Sequence, residues 1–151
     1  MSTEVRQLVA NMVAEMQEVS DDVRYFLIPV EPKPASRPRV TKWGTYFGKP
    51  YTIFRQTAQP YADAYDERPP ILGPVVILME IVCTKPKTGK LLHPRGDVDN
   101  YAKGIMDVMT KATGKFWNDD VQVVAMYAYK RYCDPLTDEA AGSHVYLYEV
   151  L

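Results

Sequence analysis

Two acidic clusters bracket one amphipathic segment, and any fold for this chain has to be built around them. Gly96-Asp97-Val98-Asp99-Asn100-Tyr101-Ala102-Lys103 supplies the first cluster and Phe116-Trp117-Asn118-Asp119-Asp120 the second. Asp97 and Asp99 are separated by one residue, so an extended backbone would aim both carboxylates at one spot. Asp99 or Asn100 suits the N-cap of the next segment, because its side-chain oxygen can accept from an orphan helix N–H. That segment, residues 101–111, reads as a helix, with Ile105, Val108 and Met109 as its apolar face and Ala102 and Ala112 flanking. Lys103 comes one turn after Asp99, and Asp107 one turn after Lys103, so all three can line one side. Gly114 stands where a helix usually ends. Asp119 and Asp120 then lead into a β-branched run over residues 121–124.

Several carboxylates converging on one point repel each other, and a bound divalent cation resolves the repulsion. All-oxygen ligation by a few aspartates suits Mg2+ or Mn2+, which bind one or two carboxylates, several waters and substrate phosphate oxygens. The alternative is local: Asp97 and Asp99 as loop and cap residues, Asp119-Asp120 as a turn, since Asp and Asn crowd turns for their own reasons.

Charge narrows the partner. The net charge is −1, but it is unevenly spread. Residues 32–62 contain no acid and carry Lys33, Arg37, Arg39, Lys42, Lys49 and Arg55. Between Glu80 and Asp97 the only charges are Lys85, Lys87, Lys90 and Arg95. Two basic loops beside an acidic pocket are what a metal-dependent enzyme acting on a polyanion needs: the loops grip phosphates and the acids hold the metal. The length of 151 residues is that of one domain with a proper core. No apolar run approaches a membrane span, and the first apolar segment is broken by Glu15 and Glu18, which excludes a secretory signal. Cys83 and Cys133 lie far apart and read as buried free thiols of a reducing compartment. Only two histidines, His93 and His144, argue against a histidine-rich metal site.

The pattern Asp97-Val98-Asp99-Asn100, then Lys103, Asp107 and Trp117-Asn118-Asp119-Asp120-Val121-Gln122-Val123, resembles the signature of the RusA family of Holliday junction resolvases. That signature is Asp-x-Asp-Asn, a Lys four residues after the second Asp, then Asp-Asp-x-Gln-Val opening a strand. Lys33-Pro34-Ala35-Ser36-Arg37-Pro38-Arg39, followed by Gly44-Thr45-Tyr46, is similar to the basic proline-rich loop of family members. The resemblance runs from about Tyr25 to the C-terminus.

At the start of the chain, residues 2–19 form an amphipathic helix, with Val5, Leu8, Val9, Met12, Val13, Met16 and Val19 on one stripe and Ser2 or Thr3 as cap. It departs from the family pattern, which begins with a strand, and is expected to pack on the domain's own sheet or on a partner subunit. Residues 24–30 form a strand ended by Pro29 and Pro32. Prolines stiffen the basic loop after it, so its arginines lose less freedom on meeting a phosphate. Trp43, Tyr46 and Phe47 around Gly44 and Gly48 suggest a hairpin. An exposed aromatic there could stack on an unpaired base, although core packing is expected for most of the three. Residues 51–66 carry a helix that Pro60 should interrupt or start. Residues 75–83 are the clearest strand, with Glu80 expected to face solvent or a structural salt link, the alternative being the metal cluster. A basic loop spans residues 84–95. Lys115-Phe116-Trp117 packs against the strand ends and sets the height of Asp119 and Asp120. Residues 121–131 and 143–150 are the last strands.

The expected fold is α+β: a mixed sheet of four or five strands with helices on one face, residues 1–22 a helical extension and residues 23–151 the RusA-like nuclease domain. The resemblance implies a Holliday junction resolvase of recombination and repair that makes paired symmetric nicks in four-way DNA junctions. It implies a homodimer, because two nicks related by two-fold symmetry need two sites so related. Asp97, Asp99 and Asp120 would hold Mg2+, with Mn2+ as substitute and Asp119 as further ligand or helper. Lys103 would position the scissile phosphate or neutralise charge, unless it pairs with Asp107. Lys33, Arg37, Arg39, Lys42, Lys87 and Arg95 would contact DNA. No membrane and no small-molecule cofactor are expected, and the setting is the cytoplasm of a bacterial or phage-infected cell. The rivals are a flap or nicking nuclease of the same chemistry and a junction-binding protein without activity.

Overall fold

A computed structural model describes residues 3–16 and 19–151. The expected cap at Ser2 and the helix residues 17–18 lie outside the described residues, as do the side chains of Val5, Val9, Val13 and Met16. The order is α1 (Thr3–Met16), β1 (Arg24–Ile28), β2 (Arg39–Thr41), β3 (Gly44–Tyr46), α2 (Lys49–Asp63), β4 (Val75–Cys83), α3 (Val98–Lys111), β5 (Val123–Tyr132) and β6 (Gly142–Glu149). A 3-10 turn, Asp120–Gln122, leads into β5. The main sheet runs β1-β6-β4-β5, and β2 and β3 form a separate hairpin. β4 and β5 are parallel, while β6 is antiparallel to both β1 and β4. The sheet is therefore mixed, and the domain is α+β.

β4 is apolar almost throughout because it is central: every one of its residues is buried. One set of alternate residues, Val75, Ile77, Met79, Ile81 and Cys83, joins the core under α2 and α3. Phe54 and Ala58 of α2, Ile105 and Met109 of α3, and Val145 and Leu147 of β6 meet them there. Each fully buried side chain of this size contributes roughly 1.5–3 kcal/mol. The other set of β4 residues faces the opposite side of the sheet. There α1 lies near β6, and Arg6 donates to the Tyr146 hydroxyl at 3.2 Å. Helices α2 and α3 thus share one face, and α1 touches the other.

Glu80 is on that second side and is buried, not solvent-facing. Arg131 of β5 reaches it at 2.5 Å and grips Glu139 through two further bonds of 2.6 and 2.7 Å. The salt-link reading of Glu80 holds. Cys83 and Cys133 are both free thiols, the first buried and the second partly so. Burial pushes the Cys83 thiol up to about 11.

Several helix boundaries differ from expectation: Val19, expected at the end of the first helix, bridges to Val150, and α2 lies at Lys49–Asp63 rather than 51–66. Pro60 does not break α2, which runs through it to Asp63 with Pro50 in its first turn. Pro60 falls near the end, where few bonds remain to lose, and Tyr51, Phe54, Ala58 and Ala62 keep the apolar period that holds the helix on the core. Helix α3 begins at Val98, three residues earlier than the apolar pattern suggested. Asp97, not Asp99 or Asn100, takes the N-cap position. Gly114 does adopt a left-handed backbone, φ +71°.

Candidate active site

Helix α3 acts as a strut with one acidic pair at each end. Asp97 caps its start with an extended backbone but makes no side-chain capping bond, and Asp99 lies in the first turn. The two are therefore not alternate residues of one extended segment. Both are exposed, and both gain from the positive end of the helix dipole.

The chain approaching this end is held by its backbone. Tyr101 donates to the Arg95 carbonyl at 2.6 Å, and the Lys130 ammonium donates to the carbonyls of Pro94 (2.9 Å) and Gly96 (2.5 Å). Gly96 has φ +101°, and a Cβ there would sit 3.1 Å from Pro34 and 3.2 Å from Tyr101. Only glycine fits both the backbone and the space. The proline-rich basic loop docks on the same end, where the Ala35 N–H donates to the Asn100 carbonyl at 2.9 Å. A cavity of about 370 Å³ opens between the basic loops, walled by exposed Lys33, Lys90 and Arg95 with Gly96 and Tyr101, and exposed Arg37 follows on the first loop. Lys87 is exposed on the second of those loops, and Arg39 and Lys42 are exposed on the hairpin.

The other end is organised differently. Asp120 is exposed, yet its carboxylate is held by three short contacts. Trp117 Nε1 donates to Oδ1 at 2.8 Å, and Thr110 Oγ1 lies 3.1 and 3.0 Å from the two carboxylate oxygens. Trp117 is buried beside Phe116, which stacks on Tyr65 at 4.6 Å, so the expected packing against the strand ends is present and carries a hydrogen bond with it. Asp119 caps the 3-10 turn, accepting from the Val121 N–H at 3.0 Å. Gln122 uses all of its hydrogen-bonding capacity on backbone. Its oxygen accepts from Asn118 and Asp119, and its amide nitrogen donates to Ile71 and Gly73, all within 2.8–2.9 Å. The Asp-Asp-x-Gln motif is therefore a frame that presents Asp120.

Thr110 is eleven residues beyond Asp99, which is about 16 Å along an α-helix. Asp120, bonded to Thr110, is that far from the first pair. Among the described residues, no three His, Cys, Asp or Glu side chains lie close enough together to hold a metal. The expected convergence of Asp97, Asp99 and Asp120 is not formed within one chain, because α3 spends the intervening residues as a rigid spacer. Asp99, Lys103, Met106 and Thr110 fall on one stripe of α3 at helical spacing, and Lys103 on it is exposed. Asp107 is turned away from Lys103 and accepts from the Tyr51 hydroxyl of α2 at 2.5 Å.

Trp117 and Thr110, the partners of Asp120, are functional residues that the motif alone does not mark. Their signal was present: Trp117 stands three residues before Asp120, and Thr110 lies three turns after Asp99 on one stripe. The hairpin aromatics also correct an expectation of core packing. Trp43 is 78% exposed and Tyr46 54%; Phe47 is half-exposed and packs edge-on against Tyr51.

A family model for the endodeoxyribonuclease RusA matches residues 29–137, from the basic loop through β5. The chain belongs to the RusA endodeoxyribonuclease family. Membership makes it a DNA endonuclease, a hydrolase of phosphodiester bonds. Helix α1, β1 up to Ile28 and β6 lie outside the matched segment. No curated protein matches the chain. Nucleases of the RusA family use a divalent metal, and the donors at the start of α3 fit one. Asp97 and Asp99 are exposed, hard, all-oxygen donors beside basic loops, and a cation that takes one or two carboxylates completes its shell with water and phosphate.

Proposed function

We propose that the protein is a Holliday junction resolvase that works as a homodimer with active sites shared between subunits. The observation that carries this reading is the separation of the two acidic pairs along α3. A two-fold axis perpendicular to α3 and passing beside its middle would set it antiparallel to the α3 of a second copy. Asp97 and Asp99 of one copy would then face Asp120 of the other, twice over. Asp99, Lys103 and Thr110 are exposed and leave that side of the helix open to a second copy, with Met106 half-buried between them. Two such sites match the two-fold symmetry of a four-way junction, and junction DNA is the substrate that the family implies. Such an enzyme would serve recombination and repair in the cytoplasm of a bacterial or phage-infected cell.

In this reading the basic loops, with Lys33, Arg37, Arg39, Lys42, Lys87 and Arg95, bind the backbone of the junction arms. Asp97, Asp99 and Asp120 hold Mg2+, for which Mn2+ can substitute. The bound cation supplies a more acidic water and stabilises charge on the phosphate. Trp117 and Thr110 keep Asp120 aimed outward. Lys103, one turn from Asp99, positions the scissile phosphate. Asp119 keeps its structural task as the cap of the 3-10 turn. Hydrolysis leaves 5′-phosphate and 3′-hydroxyl ends. Residues 1–22 form an extension to the nuclease domain of residues 23–151.

Mixed dimers test the arrangement. Asp97→Asn and Asp120→Asn proteins are each expected to bind junctions without cutting. Mixing them should restore unpaired nicks, because each heterodimer rebuilds one intact site and spoils the other. With free subunit exchange, the nick rate should reach about a quarter of wild type, since half the dimers are mixed and each has one working site. If both variants dimerise and exchange but the mixture stays silent, the shared-site reading is wrong. Paired nicks on four-way junctions rather than on flaps separate a resolvase from a flap nuclease.

A further inference from the structure

We infer that the β2–β3 hairpin is a base-stacking probe, with Trp43 at its tip seating on an unpaired base at the branch point of the DNA. The inference rests on the junction-resolving reading and adds to it the element that tells a branch from a duplex. Every residue of both strands is exposed, and Val40 and Trp43 are nearly 80% exposed. A hairpin with three residues in each strand has no core to justify a tryptophan at its tip.

The tip is nonetheless ordered from within. The Trp43 N–H donates to Thr41 Oγ1 at 3.2 Å, Thr41 Oγ1 donates to the Gly44 carbonyl at 3.3 Å, and the Tyr46 hydroxyl donates to the Trp43 carbonyl at 3.3 Å. Gly44 turns the chain at φ +135°. The backbone of Trp43 is held while its ring stands in solvent, and little freedom is left to lose when the ring meets a flat partner. Lys42 Nζ lies 4.9 Å from the ring centroid. Arg37 and Arg39 follow down the same arm, with no acid between residues 32 and 62. An aromatic ring among cations suits a nucleobase with its phosphate, because stacking needs only a π-face and tolerates any sequence. An acidic protein surface would satisfy the lysine and arginines but leave the indole without use.

The hairpin is also placed for the task. Its base is tied by the Gly48 N–H donating to Ser36 Oγ at 2.9 Å, and the adjoining Ala35 N–H is bonded to the Asn100 carbonyl at the start of α3. Trp43 comes seven residues after Ser36, so the tip can stand up to about 23 Å from that anchor. A phosphate at Asp97 and a base under Trp43 can therefore belong to one branched DNA. Paired duplex offers no free base face, so Trp43 contributes where bases are unstacked and not elsewhere.

The two tryptophans make the test direct, because Trp117 is 4% exposed and acrylamide quenching therefore reports Trp43. Without divalent metal, so that the DNA stays intact, a four-way junction should shield Trp43 from acrylamide and a linear duplex should not. Trp43→Ala should weaken junction binding about tenfold and leave duplex binding within twofold. Trp43→Phe should recover most of the loss. Because the side chain is exposed, an unchanged circular dichroism spectrum is expected for both variants. Equal losses on junction and duplex would overturn the inference, as would a Trp43→Ala protein that keeps the full junction preference. If wild type itself binds junction no better than duplex, the resolvase reading falls and takes this inference with it; a wild-type preference that survives Trp43→Ala removes the hairpin alone.

Discussion

The two ends of α3 carry the same chemistry in opposite states. At the start, the carboxylates of Asp97 and Asp99 are exposed and bond to no other described side chain, and the order lies in the backbone around them, tied by Tyr101, Lys130 and the Ala35–Asn100 bond. At the finish, the carboxylate of Asp120 is itself bound, by a buried indole and a helical threonine. One end offers unattached ligands beside a phosphate-binding surface, and the other presents a ligand already aimed. A site that joins the two ends needs only one half preset. The free half can then adjust to cation and phosphate, at a lower cost than repacking both.

The largest expected effect tests which acids matter. Asp97→Asn and Asp120→Asn should each lower kcat on junctions by about 10³-fold or more, as losing a metal-holding carboxylate removes several kcal/mol of transition-state stabilisation. Asp119→Asn should lose less than about tenfold, since Asn caps a helical turn nearly as well as Asp. A collapse of cutting in Asp119→Asn with normal folding would place Asp119 among the ligands and blur the contrast within that pair.

Stability should separate the ends next. Gln122→Ala removes four bonds to backbone and strands their partners, and urea unfolding should show a loss of about 2–3 kcal/mol. Lys130→Met frees two carbonyls near the surface and should cost about 1 kcal/mol. Equal losses would mean that the start of α3 is as tightly framed as its finish.

A smaller effect concerns aim. Trp117→Phe keeps the buried ring but deletes the donor to Asp120, and a hydrogen bond to a charged group is worth roughly 1.5–3 kcal/mol. A drop in kcat of about tenfold is expected, with junction affinity unchanged. An undiminished kcat would show that Asp120 needs no preset orientation.

The smallest effect lies away from both ends. Arg131 holds the Glu139 carboxyl down to about 2, chiefly by hydrogen bonding. A folded value below the ordinary 4.5 means that this pair stabilises the fold fully above that pH. The contribution fades as the pH falls towards 2. Equilibrium unfolding of Glu139→Gln should match wild type at the acid extreme and fall below it near neutrality. Between pH 5 and 8 the pair should add no pH dependence to stability.

Much of this molecule is written locally. The apolar run of β4 reads correctly because a central strand needs both its faces filled, whatever its neighbours are. The apolar period of α3 reads correctly too, because one face of the helix covers the core, although the helix ends at Lys111 with Ala112 as its cap, before Gly114. The first turn of α3 is hard to read because Val98 is partly exposed and Asp99 and Asn100 are polar, while Asp97 caps the helix through its backbone position alone. Pro60 does not break α2 because proline's cost depends on how many bonds remain beyond it, and on the core that α2 covers. The hairpin was legible from its glycines, but the exposure of Trp43 was not, since burial depends on what packs opposite.

By itself, then, the chain's order of residues determined the motif, the family, the acid-free basic loops and the nature of each main element. These depend on spacing, period and charge within a few turns. Only the tertiary structure decided that the acidic pairs stand apart, that Trp117 and Thr110 hold Asp120, and that the hairpin stands clear of the core. The physical reason is distance per residue. Eleven residues wound as a helix span about 16 Å and hold their ends apart, whereas the same number in a turn would bring them together. Which of these occurs is settled by packing against strands remote in sequence.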